Sequence, residues 1–380
     1  MTSRKGKALL RGMKVSPWLA GLVIVLLWSS LRAEEPEKEV RAGALNLAQV
    51  IVEKMDLQDS SAFPGLTAWR RDFQEAAKNP ETLDPDKLVT HNPHWWVAYF
   101  EIAPGDPAMM LLHCQVLLAG GEAQRAQHLA AIYLQRPGNP DIYQEGLHTT
   151  VHEAGRAQQQ ANDLTRQGTA LHDGGEYDGA IAKYDEALKK WPADGWTAYE
   201  RGFSTYIRAL VKAGKPVPKN GAMTMNDKIF EELPERAAIE ACYAQARQHD
   251  PLQMMAYQGG NQNWKPLQAL IGKVMPVWER LRANVSKSLD DKELAQLADG
   301  FHEAGLHEYA LATREMMIAR RKKFAPEDHP ILSEHLRALA PTAAVEHTIA
   351  ELAGESMAAG VLVAPERGYE MLVKPPQKKK

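Results

Sequence analysis

The chain is poor in cysteine: Cys114 and Cys242 are the only two in 380 residues. Two cysteines in a chain of this length exclude a disulfide framework. Cys114 stands among Met110, Leu111, Leu112 and Val116, and Cys242 between Ile239 and Ala246, so both read as small apolar core residues rather than halves of a bridge. Equally absent are a nucleophile elbow, a phosphate-binding glycine loop, a CxxC pair and a zinc-protease motif. Nothing in the sequence argues for catalysis, and the chain is read as a non-enzyme with no cofactor. Strand-like alternation is almost missing, which points to an all-α fold.

Long apolar runs are scarce. The run Trp18 to Trp28 has eleven residues, whereas a membrane-spanning helix needs about twenty. Five basic residues (Arg4, Lys5, Lys7, Arg11 and Lys14) and no acid precede it. A basic start, a short apolar run and the small residue Ala33 predict a secretory signal peptide over 1–33 and an exported, periplasmic or secreted product of bacterial type. Leu31 is large for the signal peptidase, so the alternative is a leader kept as an inner-membrane tether. No cysteine follows the run to take a lipid. Cleavage would remove six basic residues and no acid, taking the net charge from −3 to −9. Such a product has no electrostatic reason to hold nucleic acid. The end, KPPQKKK, reads as a solvated basic tail.

What is present is a repeated helical hairpin. Gly168 recurs as Gly202, and the spacing of Tyr184, Ala187 and Pro192 recurs in Tyr243, Ala246 and Pro251. From Leu164 the sequence predicts a helix to His172, a turn at Gly174 and Gly175, and a second helix ending at Pro192. Gly168 allows the two helix backbones to approach, Ala180 and Ala187 keep the facing helix narrow, and Tyr177, Ile181, Tyr184 and Leu188 fill the seam. A second hairpin starts at Gly195, but its second helix waits until Arg236. Residues 215–235 between them are too rich in proline, glycine and asparagine to continue a helix and read as an inserted surface loop.

This pattern resembles the tetratricopeptide repeat, whose motif Gly168, Gly175, Tyr177, Ala180, Tyr184, Ala187 and Pro192 match; Leu164, Gln167 and Leu171 depart from it. Leu297 to Ala340 is similar to the longer repeat of kinesin light chains, with Leu297 and Ala298 returning as Leu339 and Ala340. There Asp328 is expected to cap the next helix and Pro330 to begin it. A degenerate copy lies between Asp106-Pro107 and Asn139-Pro140, around Gly120 and Gly121. The resemblance implies an α-solenoid of helical hairpins with extra N-terminal helices. Its expected divisions are a helical segment over 34–104, repeats over 105–252, a C-terminal helical, repeat-like segment over 253–360 and the tail over 361–380. Further helices are expected at Pro93 to Ile102, Asn139 to Asp163, Trp264 to Ser288 and Thr342 to Met357.

In a stack of this kind the first helix of each hairpin lines a concave face. Trp196, Tyr199, Phe203 and Tyr206 follow helical spacing on one side of such a helix, with Ala198, Gly202, Thr205 and Ala209 opposite. The matching positions one repeat earlier are Asn162, Thr165, Thr169 and His172, all polar. The expected function is a non-catalytic scaffold that captures a peptide or helix of a partner protein. Trp196, Tyr199, Phe203 and Tyr206 are its apolar anchors, and Thr165, Thr169 and His172 its hydrogen-bonding groups. The alternative is that the stripe is core, covered by a neighbouring helix or by the 215–235 insertion. The lysine, asparagine and arginine clamp of some tetratricopeptide cochaperones is replaced here by Thr165 and Thr169, so chaperone carboxylate tails are not the expected ligand.

Thirteen histidines raise the question of metal. His148 and His152 are one helical turn apart beside Glu153, but the order is not HExxH and no third ligand is evident. His91 and His94 have Pro93 between them and are followed by Trp95 and Trp96, which suggests packing. No metal site is expected. A metal-dependent enzyme with its site outside the repeats is the rival class, and a membrane-tethered assembly factor is the other alternative.

Overall fold

The structure, a computed structural model, describes residues 36–56, 63–102, 105–218, 228–258 and 265–359. Among these residues all regular structure is helical. The expected leader over 1–33 and tail over 361–380 lie outside the described residues. No described helix is long and apolar enough to cross a membrane.

The N-terminal section holds α1 (Pro36–Asp56), α2 (Pro64–Ala77) and α3 (Pro93–Ile102). All three begin on proline, whose missing N–H costs nothing in a first helical turn. Trp69 of α2 lies 5.1 Å from Trp95 of α3, and the Trp96 indole donates to the Thr90 carbonyl at 3.0 Å, so the HNPHWW stretch is a packing element. A hairpin follows, α4 (Pro107–Ala119) and α5 (Ala123–Tyr133). Asp106 caps α4 by accepting from the backbone N–H groups of Ala108 and Met109. Every residue of α4 is buried, as its nearly unbroken apolar sequence requires, and it packs on α1, α5 and the next helix.

That helix, α6 (Asp141–Asp173), runs for 33 residues. The two helices expected over 139–163 and 164–172 are thus one, because no proline interrupts the stretch and a lone glycine costs a helix only about 1 kcal/mol. It ends at the turn where Gly175 adopts φ +81°. Then come α7 (Tyr177–Lys190), α8 (Gly195–Lys212), a short α9 (Lys228–Glu231) within the insertion, and α10 (Arg236–His249). The repeated glycine and tyrosine meet in space. A Cβ on Gly168 would fall 2.5 Å from the Tyr184 ring, and one on Gly202 would fall 2.8 Å from Cys242 and 3.2 Å from the Tyr243 ring. Cys114 and Cys242 are buried and unbridged.

Beyond α11 (Met255–Gln258), the helix expected over 264–288 is broken into α12 (Lys265–Ala269), a π-helical segment (Leu270–Val274) and α13 (Met275–Ala283). Pro276 cannot donate to the carbonyl four residues back, and the ladder shifts ahead of it. The third hairpin is α14 (Asp291–Ala304) and α15 (His307–Arg321), followed by α16 (Asp328–Leu339) and α17 (Ala343–Ala359). Asp328 does not cap α16 from outside. It occupies the first helical position, is buried, and accepts from the Ala325 N–H and from Arg321, which ties down the preceding loop.

The C-terminal helices return to the N-terminal ones: α15 packs on α5 and α17 on α3. One apolar core runs from Val40 to Ile349 through both sections, and a second, smaller one surrounds α8 and α10. The contacts therefore extend beyond neighbouring hairpins, with consequences for where polar groups are buried.

Candidate functional site

The aromatic stripe expected from the sequence lies along α8, which packs on α6, α7 and α10. Asp194 starts α8 by accepting from the N–H groups of Trp196 and Thr197 at 3.1 and 3.2 Å. Gly202 faces α10, and this turns the opposite side of α8 outward. The aromatic residues form a ladder. Trp196 lies 5.6 Å from Tyr199, Tyr199 stacks on Phe203 with ring planes 6° apart, and Phe203 stacks on His172 of α6 at 5.0 Å.

Only part of that ladder is available to a partner. Trp196 is 36% exposed and Phe203 is half-buried, but Tyr199 and Tyr206 are each 2% exposed. The expectation that all four aromatics anchor a ligand is corrected for these two. Tyr199 packs on Tyr243 of α10 at 5.7 Å, and Tyr206 is covered by Phe230 of the insertion at 5.9 Å. A short helix inside the expected surface loop thus supplies core.

The polar wall is corrected in the same way. Thr165 is buried, and its hydroxyl is shared between the Ala161 carbonyl and the Thr197 hydroxyl. His172 Nδ1 meets the Ser204 hydroxyl at 2.7 Å, and Thr169 reaches the Thr165 carbonyl and the Tyr184 hydroxyl. These groups hold α6, α7 and α8 together. Of the three residues, only Thr169 and His172 are half-buried rather than buried.

Sequence reasoning missed Glu200. It follows Trp196 by four residues and precedes Phe203 by three, so helical spacing places it on the same face. It is 8% exposed. Burial first, then the nearby Asp173 carboxylate, pushes its carboxyl up to about 7, against the opposing hydrogen bond from the Tyr184 hydroxyl.

A second polar cluster, also unforeseen, lies where the C-terminal helices meet the N-terminal ones. Arg125 of α5 donates to Asp86 at 2.7 Å, to the Thr90 hydroxyl at 2.8 Å and to Glu308 of α15 at 3.0 Å. His113 Nε2 stands 3.1 Å from Glu308, and its Nδ1 is 3.0 Å from the Tyr133 hydroxyl. Burial alone would raise the Glu308 carboxyl, but Arg125, with His113 and Thr90, outweighs it and holds the group well below the usual carboxylate range. Arg125, His113 and Glu308 are buried and engaged with one another, so the cluster joins helices rather than facing a ligand.

Outside this cluster a cleft of about 580 Å³ is lined by Arg41, Asp84, Asp86, Glu122 and Trp191, among others. Most of its charges are paired internally, among them Asp86 with Arg125, Glu122 with His249, and Asp84 with Lys87. His148 and His152 are not brought to a third ligand, and among the described residues no group of three or more His, Cys, Asp or Glu side chains is placed to hold a metal ion. His91 bonds the Leu339 carbonyl and His94 bonds Asp72, in separate settings.

No family model, curated protein or solved structure matches the chain.

Proposed function

We propose that the chain is a non-catalytic interaction scaffold of tetratricopeptide-type hairpins that captures a peptide or short helix of another protein between α6 and α8. The observation that carries this reading is the exposed Trp196 ring, tilted against Tyr199 at the head of the stacked series Tyr199, Phe203 and His172. A large exposed aromatic side chain backed by packed rings is a preorganised anchor, since little side-chain freedom is lost when a partner covers it. Trp196 and Phe203 are the anchors in this reading, with Thr169 and His172 beside them. Tyr199 and Tyr206 support the anchors from the core.

The proposed compartment is the cell envelope, reached by cleavage after Ala33. Retention of the leader, which the bulky Leu31 favours, would make the chain a membrane-tethered assembly factor instead. The intact mass of the native protein separates these two.

The binding reading is tested by panning a displayed library of random dodecapeptides against the full-length chain. Enrichment of an apolar motif that is lost on Trp196→Ala is expected. Failure to enrich any sequence over the unselected library overturns the groove as a peptide site.

A further inference from the structure

The groove is unusual in its charge. Trp196, Glu200 and Phe203 share one face of α8 at helical spacing. The cations of α8 all pair away from that face. Arg201 meets Asp185 of α7 at 2.6 Å, Arg208 meets Asp178 of α7 at 2.7 Å, and Lys212 lies 3.9 Å from the same Asp178. Glu200, by contrast, has no cation within ion-pair distance among the described residues, although it is more than nine-tenths buried. The Tyr184 hydroxyl is the one polar group near it that favours its ionised form. Asp173, the exposed last residue of α6, is near enough to act on Glu200 and forms no ion pair among the described residues. Burial disfavours the protonated form of His172 more than Asp173 favours it.

A buried carboxyl without a counter-ion ionises only at a cost, and a cation brought to it by a ligand relieves that cost. Aromatic faces beside carboxylates favour the same ligand, since the ring quadrupole attracts positive charge. An acidic segment would meet like charge from Glu200 and Asp173 and no cation to offset it, since the cations of α8 are engaged with α7. Resting on the groove reading above, we infer that the groove selects a partner segment carrying lysine or arginine beside an apolar anchor, the cation lodging against Glu200 and Asp173 and the apolar side chain against Trp196 and Phe203.

The composition of the panned dodecapeptides tests this separately from the groove itself. Peptides recovered through Trp196 are expected to carry lysine or arginine next to an aromatic or aliphatic residue. Each is expected to lose at least tenfold in affinity when its cation becomes glutamine. Glu200→Gln, which keeps an acceptor for Tyr184, is expected to bind the cationic peptide as weakly as the native chain binds the glutamine version, with no further loss on combining the two changes. Asp173→Asn, at an exposed site that leaves packing untouched, is expected to cost a smaller factor that shrinks with added salt. Trp196-dependent peptides with neutral or acidic composition would overturn the inference and leave the groove reading standing, whereas no enrichment at all would remove both. Deleting 361–380 is expected to leave cationic-peptide affinity unchanged. A tenfold gain on deletion would make the chain's own basic tail the occupant and overturn the assignment to a partner.

Discussion

Glu308 and Glu315 stand two helical turns apart on α15, both buried and both directed into the N-terminal helices, yet they hold opposite protonation states. Glu308 meets Arg125 and is an anion. Glu315 meets only the Tyr99 hydroxyl, through Oε2 at 2.6 Å, and its Oε1 has no partner. Burial pushes the Glu315 carboxyl up to about 8, with the Tyr99 hydrogen bond opposing, so it carries a proton at neutral pH. One helix face thus docks through an ion pair at one end and a neutral acid at the other.

Because the Glu315 pKa is raised from 4.5 to about 8, its contribution is fully present below the unfolded value and is lost as pH rises towards 8. At pH 7 the proton uptake costs about 3 kcal/mol. Glu315→Gln is therefore expected to be more stable than the native chain at pH 7 by up to that amount and no more stable at pH 4.5. Urea unfolding at the two pH values measures this, and an equal difference at both would show that Glu315 is ionised throughout.

Removing one partner of the ion pair leaves the other charge buried. Arg125→Met is expected to destabilise the chain by about 3–5 kcal/mol, and the double change Arg125→Met, Glu308→Leu to recover much of that. Additive losses in a double-mutant cycle would mean that the two residues act independently.

Two histidines oppose acid. Burial, followed by repulsion from Arg282, lowers His128 to about 3, and burial, followed by His302, His307 and Arg314, lowers His335 to about 3. A histidine depressed in the folded state costs nothing above the unfolded pKa of about 6.5 and costs stability as pH falls below it. Each is expected to remove about 2 kcal/mol between pH 6.5 and 5. His335→Gln should flatten the acid limb of the stability profile by that amount, and an unchanged limb would place the acid sensitivity elsewhere.

Gly168→Ala puts a methyl group 2.5 Å from the Tyr184 ring. The overpacking is expected to cost about 1–3 kcal/mol, and a smaller residue at Tyr184 should reduce that penalty. If Gly168→Ala unfolds at the native urea midpoint, close approach is not what the glycine provides.

Tyr199 and Trp196 lie three residues apart but should behave differently. Tyr199→Ala removes a core ring and is expected to cost about 3–5 kcal/mol. Trp196→Ala, at a 36% exposed site, should change stability by no more than about 1 kcal/mol while abolishing peptide enrichment. Similar melting losses for both would return Trp196 to the core.

The amino-acid sequence by itself determined the all-helical class, the glycine turns and the hairpin in which Gly168 faces Tyr184. These depend on neighbours within a few turns, and periodicity records them. It also placed Trp196 and Phe203 on one face. Only the tertiary structure decided that Phe230 covers Tyr206, that Thr165 is spent on Thr197, and that Arg125 meets Glu308 across 183 residues. A pairing that distant leaves no spacing to read. Arg125 and Glu308 each look like ordinary polar positions on amphipathic helices until folding removes water from both and leaves each as the other's counter-charge.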